Sequence, residues 1–216
     1  MKMARVGKNV FEVASLESAQ KIILTPEKGY KTEERWQVET PEHAALIKGL
    51  TASDATVLDF GIGIGRIAKE LLLGTRNLNI VGVDASRTMI RLCREYMPQY
   101  VHNRLTLYAS DEISRIPDKS VDLIYAIYVL QHVEARILEK TIDELFRILK
   151  PSGKFYVFNL FKRSAIDKNG KFYDDKIDLL SILGVRFGEA EDLNLNSPYM
   201  QSFLEDHFSK LFTKQV

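Results

Sequence analysis

Val57-Leu58-Asp59-Phe60-Gly61-Ile62-Gly63-Ile64-Gly65-Arg66 is the stretch that decides how this chain is read. Residues 57–60 are a short apolar run of the kind buried as a strand, and 66–73 carry the apolar spacing of a helix. Three glycines at alternate positions join them. With no Cβ in the way, such a junction lets backbone approach a ligand where the first N–H groups of a helix lack intrahelical partners. A second apolar run, Ile80-Val81-Gly82-Val83, ends in Asp84. That carboxylate follows the glycines by about 20 residues, the distance at which a mononucleotide-binding βαβ unit grips ribose hydroxyls. The chain is expected to bind something nucleoside-like.

Glycine spacing narrows the ligand. A dinucleotide fingerprint is G-x-G-x-x-G, with pyrophosphate over the helix N-terminus. Here the pattern is G-x-G-x-G, Asp59 precedes it, and Arg66 stands where the dinucleotide pattern has its third glycine. An acid at that point repels a pyrophosphate and suits a cationic ligand.

Working outward, the rest of the chain alternates strands and helices. Residues 1–39 are a polar, mixed-charge preface with an amphipathic piece at 16–24, and Thr40-Pro41 reads as an N-cap with proline at the first helical position. After the strand ending in Asp84, Ser86 caps a helix whose apolar positions are Met89, Ile90, Leu92 and Cys93. Residues 105–109 read as a third strand and 121–126 as a fourth. A helix then carries Ile137, Leu138, Ile142, Leu145, Phe146 and Leu149 at helical spacing. Lys150-Pro151-Ser152-Gly153 stops it, and 155–158 form a fifth strand. Such alternation predicts an α/β domain with a doubly wound, mostly parallel sheet and a ligand at the strands' C-terminal ends. Beyond Asn159, Asn169-Gly170 signals a tight turn, acids cluster at Asp174, Asp175, Asp178, Glu189, Glu191 and Asp192, and Ser197-Pro198 opens a last helix before a closing strand at 211–216.

At 216 residues and 45% hydrophobic composition, the chain suits one domain with a sizeable core. A net charge of +1 gives no global attraction to nucleic acid or an anionic membrane. The first residues lack the apolar region of a secretory signal, and no run approaches the ~18 apolar residues of a membrane span. One cysteine, Cys93, fits a reducing compartment, so a cytoplasmic location is expected.

Residues 35–160 resemble class I S-adenosylmethionine-dependent methyltransferases of the small-molecule branch. The resemblance implies a Rossmann-like fold in which Asp59, Phe60, Gly61, Gly63 and Gly65 form the cofactor loop. It assigns Asp84 to both ribose hydroxyls, with Ala85 beside the adenine, and Asp111, with Glu112 as neighbour, to the adenine amino group. Residues 122–133 match the fourth strand and its loop, putting Ala126 at the cofactor, and 149–154 match the turn into strand five. Two readings stand for Arg66: contact with a carboxylate of the cofactor, or solvation. The family's sheet ends in an antiparallel hairpin, yet the chain has length for only one strand after its last helix. Either the intervening segment supplies the other strand, or the edge hairpin is incomplete.

His132 lies just past strand four, where it acts either as a general base for an acceptor hydroxyl or amine or as a packing residue. Tyr128, Gln131 and Asn159, at strand ends facing the same cleft, are candidates to position an acceptor. Trp36, with Tyr30, either forms a lid or anchors the N-terminal segment. The domain division that follows is a lid or substrate segment at 1–39 and a methyltransferase domain at 40–216, with 162–196 inserted on the substrate side. His43, His102, His132 and His207 lack metal-ligand spacing, so no metal is expected.

Absences also bear on the acceptor. The Asn/Asp-Pro-Pro-Tyr/Phe segment of nucleobase-amine methylation is replaced by Ala126-Ile127-Tyr128-Val129, Cys93 is out of place for cytosine C5 chemistry, and there is no basic stripe. A small molecule or carrier-bound metabolite is therefore expected, methylated on O or N by in-line displacement, with alignment and water exclusion the enzyme's main contribution. The rival readings are a nicotinamide-dependent oxidoreductase and a non-catalytic, cofactor-binding partner subunit.

Overall fold

The computed structural model describes residues 11–74, 77–160, 163–166, 172–175 and 178–215. Its centre is a seven-stranded sheet in the order β3-β2-β1-β4-β5-β9-β8. The first five strands are β1 (Thr56–Phe60), β2 (Asn79–Asp84), β3 (Leu105–Ala109), β4 (Val121–Ile127) and β5 (Leu149–Leu160). These run parallel; β9 (His207–Thr213) pairs antiparallel with β5, and β8 (Ala190–Asp192) antiparallel with β9. Strand order reverses between β1 and β4, and the crevice above that reversal is where a doubly wound sheet accepts ligands.

Strand periodicity sorts the core into two layers. Val57, Ile80, Leu105, Leu123, Tyr125, Tyr156 and Phe158 face helices α2 (Thr32–Leu50), α3 (Arg66–Gly74), α4 (Arg87–Tyr96) and α7 (Pro198–Phe203). Leu58, Phe60, Val83, Ile124, Ala126, Phe155 and Val157 face α5 (Ala135–Ile148) and α6 (Leu179–Phe187). A third, small cluster of Ala19, Ile64, Met89 and Leu92 seats α1 (Leu16–Ile23) against the glycine loop and α4.

Several boundaries differ from the sequence reading. Helix α2 starts at Thr32, so Thr40-Pro41 lies inside it and the division at 39/40 cuts an unbroken helix. The start signal is Glu34, whose Oε2 accepts from the Lys31 N–H at 2.8 Å. Pro41 is tolerated because the carbonyl it leaves without a donor belongs to Gln37, and both residues are exposed. Strand β5 begins directly after α5, so Lys150-Pro151-Ser152-Gly153 is strand, at the edge where Val121 pairs Leu149 and Leu123 pairs Lys154 across a register shift.

The span 162–196 is more than an insertion. Its α6 covers the sheet and its β8 joins it, while β6 (Arg163–Ile166) and β7 (Phe172–Asp175) form a separate antiparallel pair. Asn169-Gly170 lies outside the described residues. Because β8 precedes α7, the intervening segment supplies the second edge strand and the hairpin is complete, if short.

Candidate active site

Gly61, Gly63 and Gly65 adopt φ of +83°, +55° and +84°, a region that side-chain-bearing residues rarely occupy. The loop is pinned to β2: Gly61 and Ile62 N–H both donate to the Val83 carbonyl, at 2.7 and 3.0 Å. A methyl group at Gly61 would sit 2.2 Å from Val129 Cγ2, so the Val129 side chain, in the loop after β4, packs directly on the Gly61 backbone.

Asp84 closes β2 at the same level. Its Oδ2 accepts from Gly63 N–H and its Oδ1 from Ser86 N–H, both at 2.8 Å, which fixes the carboxylate between the glycine loop and α4. Burial pushes its pKa up to about 6 against these two backbone hydrogen bonds. Phe11 and Glu12 cross over this point. Ser86 Oγ donates to the Phe11 carbonyl and to Glu12 Oε1, both at 3.2 Å, while the Phe11 ring meets His132 edge-on at 5.8 Å. The N-terminal segment therefore spans from the end of β2 to the loop after β4.

Asp59 is buried beneath the glycine loop. The Tyr125 hydroxyl, its neighbour in register on β4, donates to Asp59 Oδ2 at 2.6 Å. Burial raises the Asp59 carboxyl to about 7, with Tyr125 and Arg66 opposing the rise. Arg66 is 7% exposed, which excludes the solvated reading. Its Nη1 donates to Thr40 Oγ1 at 3.1 Å, docking the start of α3 onto α2.

Correctly phased, α2 presents Arg35, Glu39 and His43 at i, i+4 and i+8 on one buried stripe. Arg35 Nε donates to Glu39 Oε1 at 2.6 Å; its Nη1 reaches the Thr25 carbonyl at 2.6 Å and Glu27 Oε2 at 2.9 Å. The guanidinium lies over the rings of Tyr128 and Phe203, at 5.6 and 5.2 Å. The Tyr199 hydroxyl also donates to Glu39 Oε1, at 2.7 Å, and Tyr30 packs edge-on against Tyr199 at 4.3 Å. Glu39 Oε2 and His43 Nε2 are sealed from solvent without a hydrogen-bond partner. Burial holds the His43 imidazole well below its ordinary pKa, hence neutral.

The structure redistributes the remaining sequence candidates. Tyr128 takes φ +60°, a strained backbone for a tyrosine, and is held there by its N–H to the Phe158 carbonyl at 2.8 Å and by its ring on Phe158 and His207. Gln131 and Asn159 are buried and hydrogen-bonded to the backbone around them. Gln131 N–H donates to Asn159 Oδ1 at 3.3 Å and Leu160 N–H to Gln131 Oε1 at 3.2 Å, tying the loop after β4 to the end of β5. The same Gln131 holds His132, its Nε2 lying 3.2 Å from the imidazole Nε2.

Phe60 and Ala126 turn their side chains into the α5 layer, leaving only backbone to meet a ligand. Glu112 caps the short turn after β3, accepting from Ala109 N–H at 3.1 Å and pairing with Arg115 at 2.8 Å, so it is occupied structurally. Asp111 is exposed at the end of β3, with Arg87 Nη2 2.9 Å from both its oxygens, and Ala85 is exposed beside Asp84. Trp36 packs, partly buried, against the α1 cluster. The sequence reading passed over Arg35, Glu39 and Tyr199 because the late helix start hid the i, i+4, i+8 spacing on α2. Tyr125 was passed over because its partnership with Asp59 depends on strand register.

Residues 57–153 match the family model described as "Methyltransferase domain". Over that segment, a little under half of its length, the chain is similar to methyltransferase domains. A sterol 24-C-methyltransferase of Aspergillus fumigatus is 33% identical over 115 residues, 52% of this chain and 30% of that protein. The matched segment thus spans about a third of that relative. Among solved structures, a protein of Pyrococcus horikoshii shares the fold with TM-score 0.62 and 21% identity, covering 88% of this chain and 92% of its own. A Haemonchus contortus phosphoethanolamine N-methyltransferase 2, solved with S-adenosyl-L-methionine, gives TM-score 0.59 and 17% identity over 82% of this chain and 53% of its own.

The residues of this chain fit that cofactor. The glycine loop offers a cradle closed to any Cβ at Gly61, Asp84 offers a fixed acceptor for paired hydroxyls, and the orphaned Glu39 oxygen offers a buried acceptor for a cation. No helix among the described residues is long and apolar enough to cross a membrane.

Proposed function

We propose that this methyltransferase transfers the S-adenosylmethionine methyl group to a small polar acceptor. When bound, the cofactor supplies an electrophilic methyl on a sulfonium, so the protein's task is to bind, align and exclude water. The observation that carries the reading is Asp84, fixed by Gly63 and Ser86 N–H at the C-terminal end of β2, beside the glycine loop. Asp84 accepts from the ribose hydroxyls, the 61–65 loop backbone lies against the cofactor, and Asp111 accepts from the adenine amino group once Arg87 yields one oxygen.

His132 is the candidate base on the acceptor side, held by Gln131, and it serves only an acceptor that arrives protonated. The acceptor mouth is framed by Tyr30, Tyr128 and the segment before α2, with the β6–β7 hairpin, whose β6 backbone lies along the 130–132 turn. Relatives named for sterol carbon and phosphoethanolamine nitrogen differ in attacked atom. The charged groups that α2 packs behind this mouth favour the polar class: Arg35 lies over the Tyr128 ring, and Glu39 accepts from Tyr199, on which Tyr30 packs.

The test is calorimetric titration with S-adenosylmethionine and S-adenosylhomocysteine, followed by methyl transfer from labelled donor to small amines, hydroxy compounds and sterols. Binding of both nucleosides, with label moving to a polar acceptor, is the expected result. Failure to bind either nucleoside overturns the reading, and label moving only to a sterol overturns the polar-acceptor part.

A further inference from the structure

Gln131 sits in the turn that follows β4, one residue before the candidate base, and is 6% exposed. Its backbone is tied down first: its N–H donates to Oδ1 of Asn159, a wholly buried residue at the end of β5. The side-chain amide is then held at both ends. One end lies 3.2 Å from the Leu160 nitrogen and the other 3.2 Å from His132 Nε2.

Which end is which follows from what each neighbour can do. A backbone N–H only donates, so the amide atom facing Leu160 is the oxygen. The amino end therefore faces the imidazole, and it too only donates. Turning the amide over would set two donors against each other and strand the Leu160 N–H without an acceptor, which is costly away from water. His132 Nε2 is left as the acceptor, so the lone pair is on Nε2 and the ring proton on Nδ1. The turn that carries the ring is itself fixed, His132 N–H donating to the Val129 carbonyl at 2.9 Å, and the Phe11 ring lies edge-on against the imidazole.

We propose that Gln131 is a positioning residue that sets the His132 tautomer and makes Nε2 the nitrogen that takes the acceptor's proton. The proposal rests on the base reading of His132 given above and supplies the atom through which it works. A general base needs a neutral ring with a lone pair within reach of the acceptor. Nδ1 fails on both counts, since it carries the proton and is sealed from solvent. In the transfer, the bond between hydrogen and the acceptor's oxygen or nitrogen breaks and its electron pair stays on that atom. The proton forms its new bond to Nε2, and the ring becomes an imidazolium. The Gln131 amide yields its place there, its 3.2 Å contact being at the long end of the hydrogen-bond range. Gln131 thus acts on the acceptor only through the ring.

The experiment records nitrogen NMR shifts of the histidine rings in labelled protein, with the His132 signals assigned by their loss in His132→Ala. The parent is expected to show a protonated Nδ1 and an unprotonated Nε2. Gln131→Glu is nearly isosteric and still accepts from Leu160, yet it turns an acceptor toward the ring, so Nε2 should become protonated. Turnover, measured with an acceptor that takes label in the transfer assay above, should fall by about tenfold or more. KM for that acceptor and affinity for S-adenosylhomocysteine should stay at parental values, which also reports that the variant is folded.

A protonated Nε2 in the parent overturns the proposal, as does a Gln131→Glu spectrum that matches the parent's. A shifted proton with unchanged turnover leaves Gln131 a structural role and overturns it equally. Should the variant fail to fold, the parent spectrum decides, an unprotonated Nε2 supporting the assignment and a protonated one overturning it. Parental turnover in His132→Ala defeats the base reading itself, and this proposal with it; loss of turnover there confines any failure to Gln131.

Discussion

Across the cleft, the glycine-loop wall and the α2 wall handle polarity in opposite ways. On the first, the polar groups are backbone N–H and one carboxylate, drawn from residues 59–86 and fixed by hydrogen bonds within that segment. On the second, they are side chains buried against one another, and Glu39 meets Tyr199 from 160 residues away. The difference teaches where each wall is vulnerable. The first wall depends on conformations that only glycine adopts easily and on a single acid. The second depends on charge balance in a desolvated cluster, where removing one partner leaves another uncompensated.

The sharpest way to break this comparison is Arg35→Met. It strands the Glu39 carboxylate in the core, and we expect a loss of about 3 kcal/mol or more in unfolding free energy, read from the urea midpoint. Lys150→Ala, at a half-exposed pair with Asp122, should cost under about 1 kcal/mol. Equal losses from the two would show that the α2 cluster is no more tightly coupled than the surface.

Asp84→Ala tests the opposite wall. Loss of two charge-assisted hydrogen bonds predicts about 100-fold or more weaker S-adenosylhomocysteine binding with little change in stability. Near-parental affinity would remove the ribose assignment. For His132→Ala, turnover should fall by about 100-fold with cofactor affinity unchanged. Unaltered turnover would return His132 to a packing role.

Titration separates the walls more finely. Asp84 and Asp59 have folded-state pKa values raised to about 6 and about 7, so between their ordinary value of 3.8 and those values the folded protein holds more protons than the unfolded chain. The stability they contribute is full below that window and is lost as pH rises through about 6 to 7. Ligand affinity moves the other way, because hydroxyl donors need the ionised Asp84. With its pKa at about 6, binding should be about tenfold weaker at about pH 5 than on the plateau above about pH 7. A flat affinity profile alongside falling thermal stability would point to Asp59 alone as the titrating group.

Much of the fold was readable because its signals are local. Val57–Phe60, the alternate glycines and the acid closing β2 each state their own conformation within a few residues, and the alternation of strands with helices leaves few topologies. Errors arose where a local signal competed with a tertiary one. Thr40-Pro41 carries every mark of a helix start, yet the helix begins eight residues earlier because Pro41 and Gln37 both face solvent. That Glu112 accepts from Ala109 and Arg115, and Gln131 from Leu160, is visible only in the structure.

By itself, then, the sequence determined the doubly wound sheet, the backbone cradle and the position of Asp84, since φ/ψ preference, hydrophobic period and strand-end placement are properties of short segments. What the tertiary structure alone decided was which charges share a buried space. Arg35, Glu39, Arg66, Tyr128 and Tyr199 acquire their meaning from packing α2 across the mouth of the sheet, because desolvation and hydrogen-bond satisfaction belong to the assembled environment and not to any one stretch of chain.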